Sequence, residues 1–257
     1  MPVPLSACIL TKDSAGKIAN CLKSVEGLVD EILILDQQST DNTIEICKEY
    51  DAKIFEFDRN AVIKFGFSYL RNYLLDRATN DWCLVIDSDE VVTAQLKHRI
   101  KGIVEGDIKE YVGYRIYTQT FAFKRYIKML SGYSAFPRLL RKSKVHFTSK
   151  VHENVVVQGQ IGLIQEPLLH FTYDSWEELY RKSQLYSLLE AQQIVQNERS
   201  KSYFKELLDI FKHLLWLLIL QQGVLDGLVG LRIAKAGILS KIMAYKLARR
   251  AVYKSVL

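Results

Sequence analysis

The chain has 257 residues, of which 49% are hydrophobic and 25% are charged, a composition typical of one large globular domain or two small ones. Its net charge of +6 is concentrated at the C-terminal end, where residues 199–257 hold eleven Lys/Arg and three Asp/Glu for a net +8, so the other 198 residues sum to −2. This distribution argues against a nucleic-acid partner for the main domain and favours an anionic partner for the C-terminal segment.

The four cysteines lie far apart among apolar neighbours, a pattern that predicts reduced core thiols in a cytosolic protein and no zinc site. They are Cys8, Cys21, Cys47 and Cys83. The first ten residues, MPVPLSACIL, lack a basic segment followed by a long apolar one, so we expect no secretory signal there.

Four short apolar runs at the start of the chain predict β-strands, with helical periodicity between them. The strands are expected at residues 5–10, 31–36, 52–57 and 82–87. The helices are expected after Asp13 or Ser14, after Thr40 or Asp41, and over residues 66–79. Strands and helices alternating at these lengths are typical of a Rossmann-like, doubly wound α/β fold with a mostly parallel sheet.

The second half of the chain is less regular. Strands are predicted at 111–123 and 151–159 and within 139–147, and a long helix is predicted over 175–198. Residues 213–231 are very apolar, but the longest uninterrupted apolar run is the seven residues 214–220. A membrane-spanning helix needs roughly 18 such residues. Flanking lysines and arginines favour a basic, amphipathic helical extension in the membrane interface, and a buried contact within a homo-oligomer is the alternative.

Three polar residues fall at the predicted carboxyl ends of strands: Thr11, Asp36 and Asp87. Ligands bind at this edge of doubly wound sheets, so the three residues predict a binding site. The first strand leads into TKDSAG rather than a GxGxxG turn, which disfavours a dinucleotide-binding fold.

Asp87 and Asp89 lie one residue apart in the turn after the fourth strand, within LVIDSDE (84–90). Carboxylates this close repel each other, and a cation bound between them would remove the conflict. Two oxygen donors on one loop suit Mg²⁺ or Mn²⁺, which completes its coordination with phosphate oxygens. Glu90 is then either an outer partner of the site or the N-terminal charge of a following helix.

Further residues near this edge suit a nucleotide. Asp36 can accept a hydrogen bond from a base N–H or a ribose hydroxyl. Ser39 and Thr40 can contact the ligand or cap the next helix. Arg71, on the third predicted helix, can pair with a pyrophosphate or extend over the surface.

Four segments in this order resemble the family-2 glycosyltransferases: ILTKD, LILDQQSTDNT, YLRNYLLDRATNDWCLVIDSDE, and VHENVVVQG followed by LLHFTY. The resemblance is strongest over residues 5–92 and 136–190, and it is greatest to the bacterial branch that builds the lipopolysaccharide core. It implies a GT-A fold and inverting transfer of a hexose from a nucleotide-diphosphate sugar, usually a UDP-sugar, with Mg²⁺ or Mn²⁺ as cofactor.

The resemblance also implies roles for individual residues on the donor side. The donor-binding residues are expected to be Thr11, Asp36, Ser39, Arg71, Asp87 and Ser88. Among them, Asp36 contacts the base and Arg71 the diphosphate. The metal is expected at Asp89 and Asp87, with His170 nearby, and a half-buried structural histidine is the alternative for His170.

The acceptor side is implied in the same way. Glu153, in VHE, is the candidate base that accepts the proton of the attacking hydroxyl, and His152 is the second candidate. A surface strand residue is the alternative for Glu153.

The segment GYSAFPRLLRK (132–142) resembles the acceptor-side loop of the family. Arg138 and Arg141 are expected to face an anionic acceptor there. Tyr133 and Phe136 are expected to stack on sugar rings.

We therefore divide the chain into a nucleotide-sugar-binding half (1–110), an acceptor-side half (111–174) and a C-terminal helical extension (175–257). The expected function is transfer of a sugar to a lipid-linked or lipopolysaccharide-core saccharide by an enzyme peripheral to the cytosolic face of the inner membrane. A non-catalytic nucleotide-sugar-binding scaffold subunit is the alternative. A nucleotidyltransferase is disfavoured because no Gly-rich phosphate loop follows the first strand.

Overall fold

The structure is a computed structural model that describes residues 3–106, 110–148, 155–196 and 203–255, with side chains as far as residue 251. Its strands are β1 (Val3–Thr11), β2 (Val29–Asp36), β3 (Lys53–Glu56), β4 (Trp82–Asp87), β5 (Glu90–Val92), β6 (Tyr111–Ala122), β7 (Arg125–Tyr126), β8 (Gly132–Tyr133), β9 (Leu139–Arg141), β10 (Val145–Phe147), β11 (Val155–Val157) and β12 (Gln160–Tyr173). Its α-helices are α1 (Ala15–Val25), α2 (Thr43–Lys48), α3 (Ala61–Phe65), α4 (Phe67–Arg77), α5 (Ala94–Gly106), α6 (Trp176–Gln196), α7 (Tyr203–Leu215) and α8 (Gly227–Ser255).

The main sheet has the strand order β3-β2-β1-β4-β9-β6-β12-β5, and β7 and β8 pair with β6. Its first four strands are parallel, because β1 pairs in parallel with both β2 and β4, and β2 pairs in parallel with β3. Strand β9 runs antiparallel to β4 and β6, and β12 runs antiparallel to β5. Strands β10 and β11 form a separate antiparallel pair. The predicted α/β class with a largely parallel nucleotide half is confirmed.

The sheet core follows from the apolar runs seen in the sequence. Parallel strands buried on both faces read as continuous apolar runs, and β1, β2 and β4 are buried along most of their length. Helix α1 buries the face formed by Ile18, Cys21, Leu22 and Val25, which recur at helical spacing. All four cysteines are buried and free, as predicted.

The structure excludes one of the two alternatives for Glu90. Glu90 does not begin a helix: it begins β5, and α5 starts only at Ala94. Strand β5 pairs with β12, with Glu90 opposite His170. A three-residue strand held by such a distant partner leaves no local periodicity, so sequence pattern alone does not reveal it.

The chain divides into two compact units. The sheet unit comprises Met1–Gln119 and Gly132–Phe171, and the helical unit comprises Thr120–Ser131 and Thr172–Leu257. The sequence division at 174/175 lies close to the second boundary, but it does not include Thr120–Ser131, which groups with the C-terminal helices. The reason is tertiary: this segment contributes Ile127 and Met129 to the apolar core of the helical unit.

In the helical unit, α6 packs along α8, and the Phe123 and Trp176 rings stack with their centroids 4.0 Å apart. No single helix among the described residues is long and apolar enough to cross a membrane. Two consecutive segments, Tyr203–Leu220 and Gly223–Ala251, meet that length and composition test only when taken together, and they are bent by 64° at the break between them.

Candidate active site

The predicted convergence of strand ends is confirmed by the sheet register. Thr11, the last residue of β1, lies opposite Asp36, the last residue of β2. On the other side of β1, Leu10 lies opposite Asp87, the last residue of β4. Parallel pairing in this register brings the three polar residues to one edge of the sheet unit.

Asp36 is held in a fixed orientation by the residues that follow it. The Ser39 N–H donates to Asp36 Oδ2 at 2.9 Å, and the Ser39 hydroxyl donates to Asp36 Oδ1 at 2.5 Å. The Ser39 hydroxyl also accepts from the Asp13 N–H at 2.8 Å. In the described part of the chain, the buried Thr11 hydroxyl has no hydrogen-bond partner. A buried hydroxyl of this kind at a strand edge is available to a ligand.

Arg59, which the sequence did not point to, connects the loops around Asp36. Its guanidinium forms an ion pair with Asp13 and donates from Nη1 to the Gln38 carbonyl at 2.7 Å, and its backbone N–H donates to Gln38 Oε1 at 3.1 Å. Asp13 and Gln38 both have left-handed backbone, with φ of 46° and 51°. Such conformations are unfavourable for non-glycine residues and persist where the surroundings hold them. Arg59 therefore stabilises the loops after β1 and β2 in the shape that surrounds Asp36.

Two arginines neutralise the acids after β4. Arg71 Nη2 lies 3.0 Å from Asp87 Oδ1, and Arg138 Nη1 and Nη2 both lie 3.2 Å from Asp87 Oδ2. Arg138 Nη2 also lies 2.7 Å from Glu90 Oε1. The other Glu90 oxygen accepts the Asp87 N–H at 2.8 Å, which closes the turn. The Phe136 ring lies under both guanidinium groups, 4.9 Å from Arg71 and 4.7 Å from Arg138.

Burial and these charges set the protonation of the acids. Burial alone would raise the pKa of Asp87, but the charges of Arg71 and Arg138 outweigh it and hold that pKa well below its ordinary value. Burial raises the pKa of Glu90 to about 7, against the opposing charge of Arg138. Burial lowers the pKa of His170, but its hydrogen bond with Asp89 outweighs this effect and raises the pKa overall.

Arginines supply part of the positive charge that the acids of LVIDSDE require. The acids of LVIDSDE do not depend on a bound cation alone for charge balance, because Arg71 and Arg138 supply positive charge to Asp87 and Glu90. Both oxygens of Asp87 already accept hydrogen bonds from guanidinium groups. Asp89 is therefore the acid of this turn best placed to bind a metal.

The donor set at Asp89 fits a divalent cation that also binds phosphate. Asp89 Oδ1 lies 3.3 Å from His170 Nε2, and the two residues are brought together by the β5–β12 pairing. Among the described residues, no group of three or more His, Cys, Asp or Glu side chains could hold a metal. Mg²⁺ and Mn²⁺ need no such cage, since one or two protein ligands and phosphate oxygens suffice.

Ser88, a predicted donor-binding residue, lies next to the first helix. The hydroxyl of Ser88 lies 2.9 Å from that of Ser14, at the start of α1, so Ser88 sits between β4 and that helix.

Tyr133 is exposed and contacts the Tyr117 ring edge-on, with centroids 5.6 Å apart. Its proposed contact with a sugar ring stays a prediction.

The residues of the predicted acceptor-side loop divide into two groups. Arg138 and Phe136 are buried against the acids described above, so Phe136 is not an exposed platform for a sugar. Arg141 lies 4.4 Å from the Trp82 ring and 3.5 Å from Asp81, at the amino end of β4, opposite the site. The acceptor-side role of Arg138 stays a prediction, and its observed partners are Asp87 and Glu90.

The two candidate bases, Glu153 and His152, lie outside the described residues. The nearest described elements in the chain are β10 and β11. Strand β10 is tied to α4, because Asn72 donates to the Phe147 carbonyl at 2.8 Å and accepts from the Phe147 N–H at 3.1 Å. The residue after Arg71 thus anchors the strand that precedes the VHE segment.

Sequence comparison relates this chain to known proteins. Residues 6–152 match the family model described as Glycosyl transferase family 2. An uncharacterized glycosyltransferase of Rickettsia felis is 28% identical over 215 residues, which are 78% of this chain and 74% of that protein. The lipopolysaccharide core biosynthesis glycosyltransferase LpsC of Rhizobium meliloti is 28% identical over 221 residues, which are 79% of this chain and 76% of that protein.

The crystal structure of S. aureus TarS 1-349 in complex with UDP-GlcNAc has a TM-score of 0.51 at 14% identity, and the match covers 96% of this chain and 92% of that one. At this identity the likeness shows the fold, and it confirms the GT-A class predicted from the sequence.

Proposed function

Because the chain belongs to glycosyl transferase family 2, we propose that it transfers a hexose from a UDP-sugar to a lipid-linked or lipopolysaccharide-core saccharide, with metal assistance and inversion of the anomeric carbon. The observation that carries the proposal is the sheet edge where Thr11, Asp36 and the turn after β4 meet. A nucleotide-diphosphate sugar needs hydrogen-bond partners for its base and ribose next to positive charge for its diphosphate. This edge provides both kinds of group.

The Asp36 carboxylate is suited to bind a uracil base. Each of its oxygens accepts one hydrogen bond from Ser39, and a carboxylate has about four acceptor positions, so capacity remains. An ionised carboxylate accepts only, and uracil presents an N3–H donor where cytosine presents an acceptor. The Thr11 hydroxyl, which is buried beside Asp36 in the sheet register, can bind the ribose or the base.

The turn after β4 is suited to bind the diphosphate. A divalent cation held by Asp89 and His170 would supply positive charge for the departing diphosphate oxygen. Arg71 adds a positive charge on the same side of the sheet, fixed in direction by Asp87 and by the Phe136 ring. Asp87, kept ionised by its two arginines, orients Arg71 and is available to a ribose hydroxyl.

Inversion requires a single displacement from the face of the sugar opposite the leaving group. A base on that face must take the proton of the acceptor hydroxyl as the new bond forms. We assign this role to Glu153, with His152 as the alternative, on the resemblance of the VHE segment to the family.

The acceptor and the location in the cell rest on two kinds of support. The relative LpsC is named for lipopolysaccharide core biosynthesis, which suggests a lipid-anchored saccharide acceptor here. The basic, apolar C-terminal helices suit a protein peripheral to the cytosolic face of the inner membrane. Enzyme and acceptor would then meet at one surface.

Release of UDP from UDP-sugars, with and without Mg²⁺ or Mn²⁺, tests the proposal. We expect turnover that requires the cation and that falls about 100-fold or more in Asp89→Asn, because the cation that would stabilise the leaving group loses its carboxylate ligand. Asp81→Asn, the same change at the opposite end of β4, is the matched control and is expected to retain activity. Tight donor binding with no turnover across a panel of lipid-linked acceptors would instead identify a scaffold subunit.

A further inference from the structure

The helical unit presents an apolar surface that its own fold does not cover. Side chains along α7, along the helical turn Trp216–Leu220 and at the start of α8 are large, apolar and exposed. We call this the apolar face and represent it by Phe204, Phe211, Ile219, Leu220, Leu225 and Leu228. Phe204, Leu220 and Leu228 are exposed by 75%, 72% and 79%. Large apolar side chains exposed this strongly along consecutive helical segments are typical of an interaction surface.

The acids of this region are turned inward. Glu206 is buried and forms an ion pair with Arg249, and Asp209 Oδ2 accepts from the Tyr245 hydroxyl at 3.1 Å. Asp226 accepts the N–H groups of Lys128 and Met129 at 2.9 and 2.8 Å. These are the three acids of residues 203–251, so the apolar face carries no outward carboxylate in that range.

Exposed cations lie on the same helices as the apolar face. Lys205 and Lys212 on α7, and Arg232 and Lys235 on α8, are exposed on either side of the bend. Residues 199–257 carry a net charge of +8. Exposed apolar side chains and exposed cations on the same helices, with no outward acid among residues 203–251, are complementary to an anionic bilayer, into which the apolar side chains insert while the cations meet lipid phosphates.

The bend that displays the apolar face is a built feature. Gln222 has left-handed backbone with a φ of 57°, and Gly227 has a positive φ of 62°. Gly230 lies so close to the Gly223 carbonyl that an added Cβ would come within 2.1 Å of its oxygen. Close backbone packing between Gly223 and Gly230 is therefore part of the 64° bend.

We propose that the apolar face docks the protein on an anionic membrane surface, with the bend at residues 219–228 as the part that enters the bilayer interface. A second copy of the chain is the competing occupant. Pairing two copies through this face would bring two regions of charge +8 together, whereas anionic lipid balances that charge. The inference deepens the proposed membrane-linked acceptor, and its test needs no sugar transfer.

The experiment is flotation of the full-length protein with vesicles of phosphatidylethanolamine and phosphatidylglycerol, compared with vesicles of phosphatidylcholine alone. The test variant is Leu220→Ser/Leu225→Ser, and the matched control is Leu163→Ser, a leucine on β12 in the sheet unit that is also exposed by more than half. We expect wild type and control to bind the anionic vesicles and the double variant to bind about tenfold or more weakly. Lys212→Gln/Arg232→Gln should reduce the dependence on phosphatidylglycerol content.

Three results would overturn the proposal: equal binding by the double variant, equal binding to both vesicle types, or a soluble dimer that the double variant converts to monomer. Thermal unfolding of each variant checks that the fold is retained, and substitutions at exposed positions are expected to keep it. UDP release measured on the same preparations separates this inference from the proposed function. Vesicle binding without UDP release refutes the proposed sugar transfer and leaves the docking surface standing. UDP release without vesicle binding refutes the docking surface and the membrane location and leaves the proposed sugar transfer standing.

Discussion

Replacing Arg138 with methionine removes the cation shared by two acids of the site while keeping a side chain of similar length. Arg138 is 8% exposed and Glu90 is fully buried, so water does not replace the lost charge. Its guanidinium contacts Glu90 Oε1 at 2.7 Å and Asp87 Oδ2 at 3.2 Å. The substitution therefore leaves Glu90 without its cation and Asp87 with Arg71 as its remaining arginine partner.

The structure indicates the size of the effect. Removing one partner of a buried ion pair costs about 3–5 kcal/mol, because the charge left behind has neither water nor a partner. Arg71 still pairs with Asp87, and Glu90, whose pKa is about 7 even beside Arg138, can take up a proton once that cation is gone, so we expect the lower end of this range, about 3 kcal/mol for Arg138→Met. Adding Glu90→Gln removes the unpaired acid and should recover about 1–2 kcal/mol.

Urea-induced unfolding of the full chain, followed by circular dichroism, measures these differences in the free energy of unfolding. Arg141→Met is the matched control, since Arg141 lies three residues further on and its ion pair with Asp81 is half-exposed and 3.5 Å long. The loss there should stay near 1 kcal/mol, the value typical of an exposed ion pair with a cation–π contact. The reasoning is refuted if Arg138→Met costs no more than Arg141→Met, or if Glu90→Gln recovers nothing in the double variant.

Three further predictions follow from other parts of the sheet unit. Glu31 accepts hydrogen bonds from Ser6, Lys53 and Thr79, and although its burial alone would raise its pKa, these contacts lower it from 4.5 to about 2. The ionised Glu31 contributes about 3 kcal/mol to the free energy of unfolding above pH 4.5, and this contribution is lost as the pH falls toward 2. The free energies of unfolding of wild type and Glu31→Gln, measured in urea, should therefore converge over that range. A difference that stays constant with pH would contradict this. Arg59→Ala should raise the KM for the donor about tenfold with little change in kcat, because the loops around Asp36 lose their anchor; steady-state kinetics test this, with the exposed Lys64→Ala as control. Glu153→Gln should lower turnover at least about 100-fold while donor affinity, measured by calorimetry, stays near that of wild type; unchanged turnover would remove Glu153 from the mechanism.

Sequence reasoning located the donor edge because that part of the fold is encoded locally. Strands β1, β2 and β4 are continuous apolar runs, and each ends at a polar residue: Thr11, Asp36 or Asp87. In a parallel sheet the carboxyl ends of neighbouring strands meet, so the end of each run predicts a position in space. The acid turn after β4 was identified in the same way.

The residues that neutralise those acids could not be found by the same reasoning. Arg138 reaches Asp87 and Glu90 from far along the chain, and Arg59 connects loops that follow two different strands. A single arginine in a sequence has no periodicity, so its partner is visible only when the chain is folded.

The sequence by itself determined the fold class, the family, the strand ends that form the site and the basic, apolar character of the C-terminal helices. Only the tertiary structure decided that arginines balance the charge of Asp87 and Glu90, that His170 joins Asp89, and that the acids of α7 and the bend turn inward. The physical reason is that apolar patterning acts between near neighbours along the chain. Charge pairing acts between side chains that distant segments bring within a few ångströms.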